Sequence, residues 1–136
     1  MQHGYLILAS LRRVLPITYD GHNEVNDMLD LLECSTLAHA FTFDTLDSLW
    51  AGDDVRHEMP EHWLHVRGMP VPIPDCALLV GALPTDDGTG SRPVMTIGEF
   101  QSIITFLTRE EVQSRSGEWR EAVRRYFASK KYPRPE

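Results

Sequence analysis

The 136 residues predict an α+β domain: a mostly antiparallel sheet with an early hairpin, one short helix after the second strand, and C-terminal helices packed on the sheet. Three observations lead there. Short β-rich apolar runs fill residues 4–84, and helical spacing dominates residues 96–131. The links between the early runs are also too short for parallel crossovers, which need about a dozen residues.

GYLILAS (4–10) and RVLPITYD (13–20) are β-rich and separated by two residues, which reads as a hairpin. Pro16 cannot donate to a ladder, so the second strand is expected at an edge or with a bulge. In GHNEVNDMLDLLE, Val25, Met28, Leu29 and Leu32 share one helical face with acids on the other, and Asn23 is the expected N-cap. TLAHAFTF (36–43), SLWAG (48–52) and HWLHVRGMPVP (62–72) read as strands, with Trp63 expected to pack inward. His39 is expected across the sheet from one of the later histidines. DCALLVGALP (75–84) is nearly all apolar and reads as a buried central strand. TDDGTGSRP is a polar loop.

Thr96 and Glu99 have capping-box spacing, and Phe100, Ile103, Ile104 and Leu107 continue at helical intervals. Thr108 and Glu111 repeat the signature. Residues 116–131 then place Trp119, Ala122, Val123, Tyr126 and Phe127 on one face, so a basic amphipathic helix is expected, followed by an extended tail at 132–136. Trp63, Leu79, Phe100, Ile104 and Phe127 are the expected members of one core. Length and an apolar share of 42% suit a single self-sufficient domain over residues 1–136.

No apolar run is long enough to span a bilayer, and the N-terminal segment lacks a basic flank for a secretory signal. The expected location is the cytoplasm of a bacterial host, with Cys34 and Cys76 as reduced, buried thiols. Net charge is −7, unevenly spread: residues 1–114 hold 6 basic and 17 acidic side chains, a net of −11, and residues 115–136 hold 7 basic and 3 acidic, a net of +4. An acidic body attracts a basic partner and repels nucleic acid.

RHEMPEHWLHVRG (56–68) is the stretch most suggestive of a metal. Zinc favours imidazole, and His57, Glu58, His62 and His65 lie close in sequence. A zinc-binding helix needs its two histidines four residues apart; here they are five apart with Pro60 between them, which prevents a shared helical face. His62 and His65, three apart on a strand, point to opposite sides. No metal or cofactor is expected. A small metal-dependent hydrolase using His57, His62 and His65 is the enzyme alternative.

The order of RRVLPITYDG, a helix ending in LLEC, LDSLWAGDD, HWLHVRGMPVP, LLVGALPTDDG and TIGEFQSIITF resembles a family of small single-domain proteins of unknown function carried by bacteriophages and plasmids. The resemblance covers roughly residues 4–107 and brings no catalytic residues; the helix at 116–131 departs from it. It implies a mobile-element setting. With the charge pattern, it leads to the expectation of a non-catalytic acidic binding protein of the anti-defence, anti-CRISPR-like inhibitor kind. Such a protein would occupy a basic nucleic-acid-binding surface of a host protein. Asp44, Asp47, Asp53, Asp54, Asp86 and Asp87, all near turns, are the expected contacts, because carboxylates on turns can copy the charge of a phosphate track. The other alternative is a nucleic-acid-binding accessory protein using Arg120, Arg124, Arg125, Lys130 and Lys131 on the C-terminal helix. Against that, the helix is expected to lie beside the acidic body or partly neutralise it.

Overall fold

The computed structural model describes residues 1–54 and 58–129. The early hairpin pairs β1 (Gln2–Leu8) with β2 (Arg13–Tyr19) through a short turn that ends at Arg12 in the left-handed conformation. Helix α1 (Glu24–Leu32) follows, then β3 (Leu37–Thr42) and β4 (Ser48–Gly52). With β7 (Cys76–Val80) these strands form a five-stranded sheet, antiparallel throughout, in the order β2-β1-β7-β4-β3. Pro16 is exposed on the edge strand β2, where a missing N–H need not break the ladder. The apolar run of β7 lies at the centre, with Ala77, Leu78 and Leu79 fully buried.

Burial on both faces of β7 requires a cover on each side. On one side, Leu78 and Tyr19 pack against Met28 and Leu32 of α1. On the other, Ile7, Leu49 and Leu79 meet a second sheet and Phe100. That second sheet runs β10-β5-β6, from β5 (His62–Val66), β6 (Ile73–Pro74) and β10 (Ile104–Thr108). Asp75, at φ 63°, carries the chain from β6 into β7. Its N–H donates to the His62 carbonyl and its carbonyl accepts from Ala9 N–H, so the change of sheet leaves this backbone paired.

A ribbon of β8 (Leu83–Pro84) and β9 (Ser91–Arg92) crosses the end of β7. Gly81 permits that crossing, since a Cβ there would overlap the Arg92 backbone. Two of the three capping signals hold: Thr96 caps α2 (Ile97–Ser102), and Thr108 with Glu111 forms a complete capping box on α3 (Arg109–Ser114), whereas Asn23 stands at the N-cap position of α1 without a side-chain cap bond. Helix α4 (Ser116–Ser129) ends the described chain.

Four expectations need correction. The helix begun at Thr96 does not continue to Leu107; it stops at Ser102, and ITFLT forms β10 against β5, with Ile104 opposite Val66. A short apolar run fits both periods, and β-branched and aromatic residues suit a strand once a partner is available. In β5 the inward residues are Leu64 and Val66, whereas Trp63 is half-buried on the other face. His39 stands opposite Trp50 in the large sheet while His62 and His65 belong to the small one, so neither of these pairs with His39 across a strand. Helix α4 buries no residue fully, and Phe127 is 59% exposed rather than in the core. Its Trp119 and Tyr126 lean on His65 and Phe41 instead.

Candidate acidic interface

Folding distributes the six nominated aspartates into different roles. Asp44 is exposed on the turn between β3 and β4. Asp53 and Asp54 follow β4, so that strand separates them from Asp44 by roughly 15 Å or more. Asp86 and Asp87 are exposed on the turn between β8 and β9. Val80 faces both Gly4 and Ser48, which places the Asp44 turn and the ribbon toward one end of the sheet and Asp53 and Asp54 at the other.

Asp47 is a correction. Its side chain is fully buried and cannot contact a partner. It accepts from Val94 N–H at 2.8 Å, Met95 N–H at 3.0 Å, Ala82 N–H at 3.4 Å and the Thr45 hydroxyl at 3.0 Å. One carboxylate thereby pins the β3–β4 turn to the segments flanking the ribbon, replacing hydration with directed donors. Asp54 also has structural duties: it accepts from Ser35 N–H, Thr36 N–H and the Thr36 hydroxyl, each at 3.0 Å, and so ties the loop after α1 to the end of β4. Asp87 accepts from the Thr85 hydroxyl at 2.6 Å and Thr89 N–H at 3.1 Å; these bonds hold its carboxyl down to about 2 and keep it ionised at the surface.

Residues 14–55 contain nine acidic side chains and no lysine or arginine, a pattern that tallies over longer segments dilute. Beyond Asp44, Asp47, Asp53 and Asp54 they include Asp20 and a row along α1 and its end: Glu24, Asp27, Asp30 and Glu33. Asp20, Asp30 and Glu33 are exposed. Glu24 accepts from the Tyr19 hydroxyl at 3.3 Å. Burial, helped by the Glu24 and Asp27 carboxylates, pushes the Tyr19 phenol well above its usual range.

Among the described residues, no arginine of the basic helix is paired with this region. Arg124 and Arg125 pair with Glu121, at 2.6 and 3.1 Å, and Arg115 pairs with Glu118 at 2.8 Å while lying over the Trp119 ring. Helix α4 approaches Phe41, which packs on the sheet face opposite to α1. Helix α4 therefore does lie beside the body, with Trp119 on His65 and Tyr126 on Phe41, while Arg124 and Arg125 pair within the helix rather than with the body's carboxylates. Over residues 116–131 the sequence holds three arginines and two lysines against two glutamates, a net of +3. Lys130 and Lys131 lie outside the described residues.

His57 also lies outside them. His62 is exposed at the start of β5. His65 Nε2 lies 2.9 Å from the Met69 carbonyl with its ring against Trp119, and His39 Nε2 lies 2.7 Å from the Thr42 hydroxyl. Among the described residues no group of three or more histidine, cysteine, aspartate or glutamate side chains is arranged to hold a metal ion. Cys34 and Cys76 are half-buried, not fully buried, beside α1, and Cys76 Sγ lies 3.6 Å from the Leu32 carbonyl. No helix among the described residues is long and apolar enough to cross a membrane.

A concavity of about 780 Å³ opens on the β1–β2 face over His3, Tyr5, Pro16 and Thr18. The Tyr5 hydroxyl donates to the Met95 carbonyl at 2.8 Å, and Asp86 and Arg92 stand at its border. It lies apart from α1, and no sequence motif marked it. Comparisons with protein-family models, with curated proteins and with solved structures returned no match for this chain.

Proposed function

We propose that this protein is a non-catalytic binding domain whose acidic half engages a positively charged surface on another protein. The observation that carries the reading is the uncompensated charge of residues 14–55, nine carboxylates without one lysine or arginine. Folding places most of them on α1 and the β3–β4 hairpin, while Arg124 and Arg125 of α4 pair with Glu121 on the same helix. Charges of one sign on a surface steer an oppositely charged partner over a Debye length of about 8 Å and raise the association rate.

The contacts we assign are Asp44, Asp53, Asp86 and Asp87 with the α1 acids, and Asp54 in part; Asp47 is buried and takes no part. The resemblance to phage- and plasmid-borne proteins supports a mobile-element setting. A basic nucleic-acid-binding surface of a host defence protein fits that setting and this charge. The nucleic-acid-binding alternative through α4 is less favoured, because Arg124 and Arg125, two of the residues it would use, are paired with Glu121. The test is affinity purification from a bacterial host, comparing wild type with a variant in which Asp44, Asp53, Asp86 and Asp87 become lysine. Basic proteins captured by wild type and lost by the variant support the reading; an identical catch from both overturns it.

A further inference from the structure

The acidic half also carries an apolar groove, and we infer that it docks a basic amphipathic segment of the partner; this rests on the acidic-binding reading above and locates its centre. The groove, about 380 Å³, runs between α1 and the face of β4 and β7 that α1 covers. Met28, Leu37, Trp50 and Val80 line it, and Val25 and Leu46 stand at its border, 60% and 66% exposed.

Leu46 is the telling residue. It is the last of three loop residues between Phe43 and Asp47, in the left-handed conformation at φ 73°. Its N–H donates to the Phe43 carbonyl at 2.8 Å, and Phe43 N–H donates to the Asp47 carbonyl at 3.0 Å. That position of a three-residue hairpin loop suits glycine, because a side chain there crowds the backbone. Here it holds a large apolar side chain that stands mostly in water, so the strain gains nothing evident for folding. Strained backbone of this kind concentrates where a residue contacts a ligand. Leu46 and Val25 face the groove from two elements, as a pair of apolar contacts for an incoming side chain.

Charge identifies the occupant. Glu24 lines the groove, Asp44 shares the turn with Leu46, and no lysine or arginine occurs in residues 14–55. An acidic segment would be repelled, and a neutral apolar one would leave the carboxylates uncompensated. A helix with apolar anchors at i and i+3 or i+4, flanked by lysine or arginine, satisfies both features, in the manner of helix-in-groove recognition.

The experiment titrates isotope-labelled full-length protein with a synthetic helical peptide of leucine and lysine, following backbone amide shifts by NMR. A second peptide of equal length and charge has serine in place of leucine. Expected are shifts concentrated in α1, residues 44–48 and residues 80–82. Affinity should fall about ten- to a hundredfold for the serine peptide and for the Val25→Ser/Leu46→Ser variant. Both substituted residues are exposed, so the variant should fold. Equal affinity for the double variant, or shifts centred elsewhere, overturns the groove. If the lysine variant of Asp44, Asp53, Asp86 and Asp87 still abolishes binding in that case, the acidic reading survives without the groove. Absence of binding by the leucine–lysine peptide overturns the groove and counts against the acidic reading as well.

Discussion

Replacing Asp47 by alanine should be among the most damaging single changes in this protein, although the residue contacts no partner. Removal strands the N–H groups of Val94 and Met95, now 2.8 and 3.0 Å from a carboxylate oxygen, and weakens the places of Ala82 N–H and the Thr45 hydroxyl. A buried donor left unpaired costs about 1–3 kcal/mol; Met95 N–H is buried and Val94 N–H part-buried, so with the two remaining bonds the loss is about 2–4 kcal/mol. Against a typical total stability of about 5–15 kcal/mol, that is a large share. Asp47→Asn keeps one acceptor oxygen and the side-chain volume, and should cost about 1–3 kcal/mol. Urea denaturation followed by circular dichroism measures both. The midpoint should fall with the slope nearly unchanged, since the surface exposed on unfolding is the same. A loss below about 1 kcal/mol for Asp47→Ala would refute the reasoning, as would an asparagine variant as damaged as the alanine one.

Three further outcomes follow from particular side chains. Leu46→Gly should raise stability by about 0.5–1 kcal/mol by relieving the left-handed leucine; a lower urea midpoint would show that Leu46 packs in the free protein. Phe127→Ser should change stability by no more than about 0.5 kcal/mol, whereas Phe100→Ala should cost about 3–5 kcal/mol, and equal losses would contradict the exposed face of α4. Tyr19 keeps its proton more firmly folded than unfolded, so its contribution is complete below about pH 10 and is lost as pH rises above that value. Melting temperatures from about pH 8 to 11 should therefore fall at the alkaline end, less steeply for Tyr19→Phe; identical profiles would contradict the assignment.

Much of the fold was legible because local signals agreed with tertiary demands. The apolar run of β7, Pro16 on an edge strand and the caps at Thr96 and Thr108 each have a local cause, and each appears where that cause puts it. ITFLT failed because its apolar spacing fits a helix as well as a strand, and only pairing with β5, some forty residues earlier, decides between them. The face of α4 failed for a related reason: an amphipathic stripe shows that a helix can be covered, not that the chain supplies the cover. In the site, acidity was readable from counting, but burial was not. Asp47 resembles its neighbours in sequence, and its donors Ala82, Val94 and Met95 lie 35–48 residues away. The groove was unreadable because Val25, Leu46 and Trp50 come from three separate elements.

The most direct test of the acidic interface is the association rate with a captured partner, measured against ionic strength for two variants matched in stability. With Asp44, Asp53, Asp86 and Asp87 changed to lysine, association should slow by about tenfold or more at low salt and lose most of its salt dependence. With Arg120, Arg124 and Arg125 changed to glutamine, both should stay close to wild type. Unchanged association of the lysine variant, together with loss of binding by the glutamine variant, would contradict the account and make α4 the functional surface.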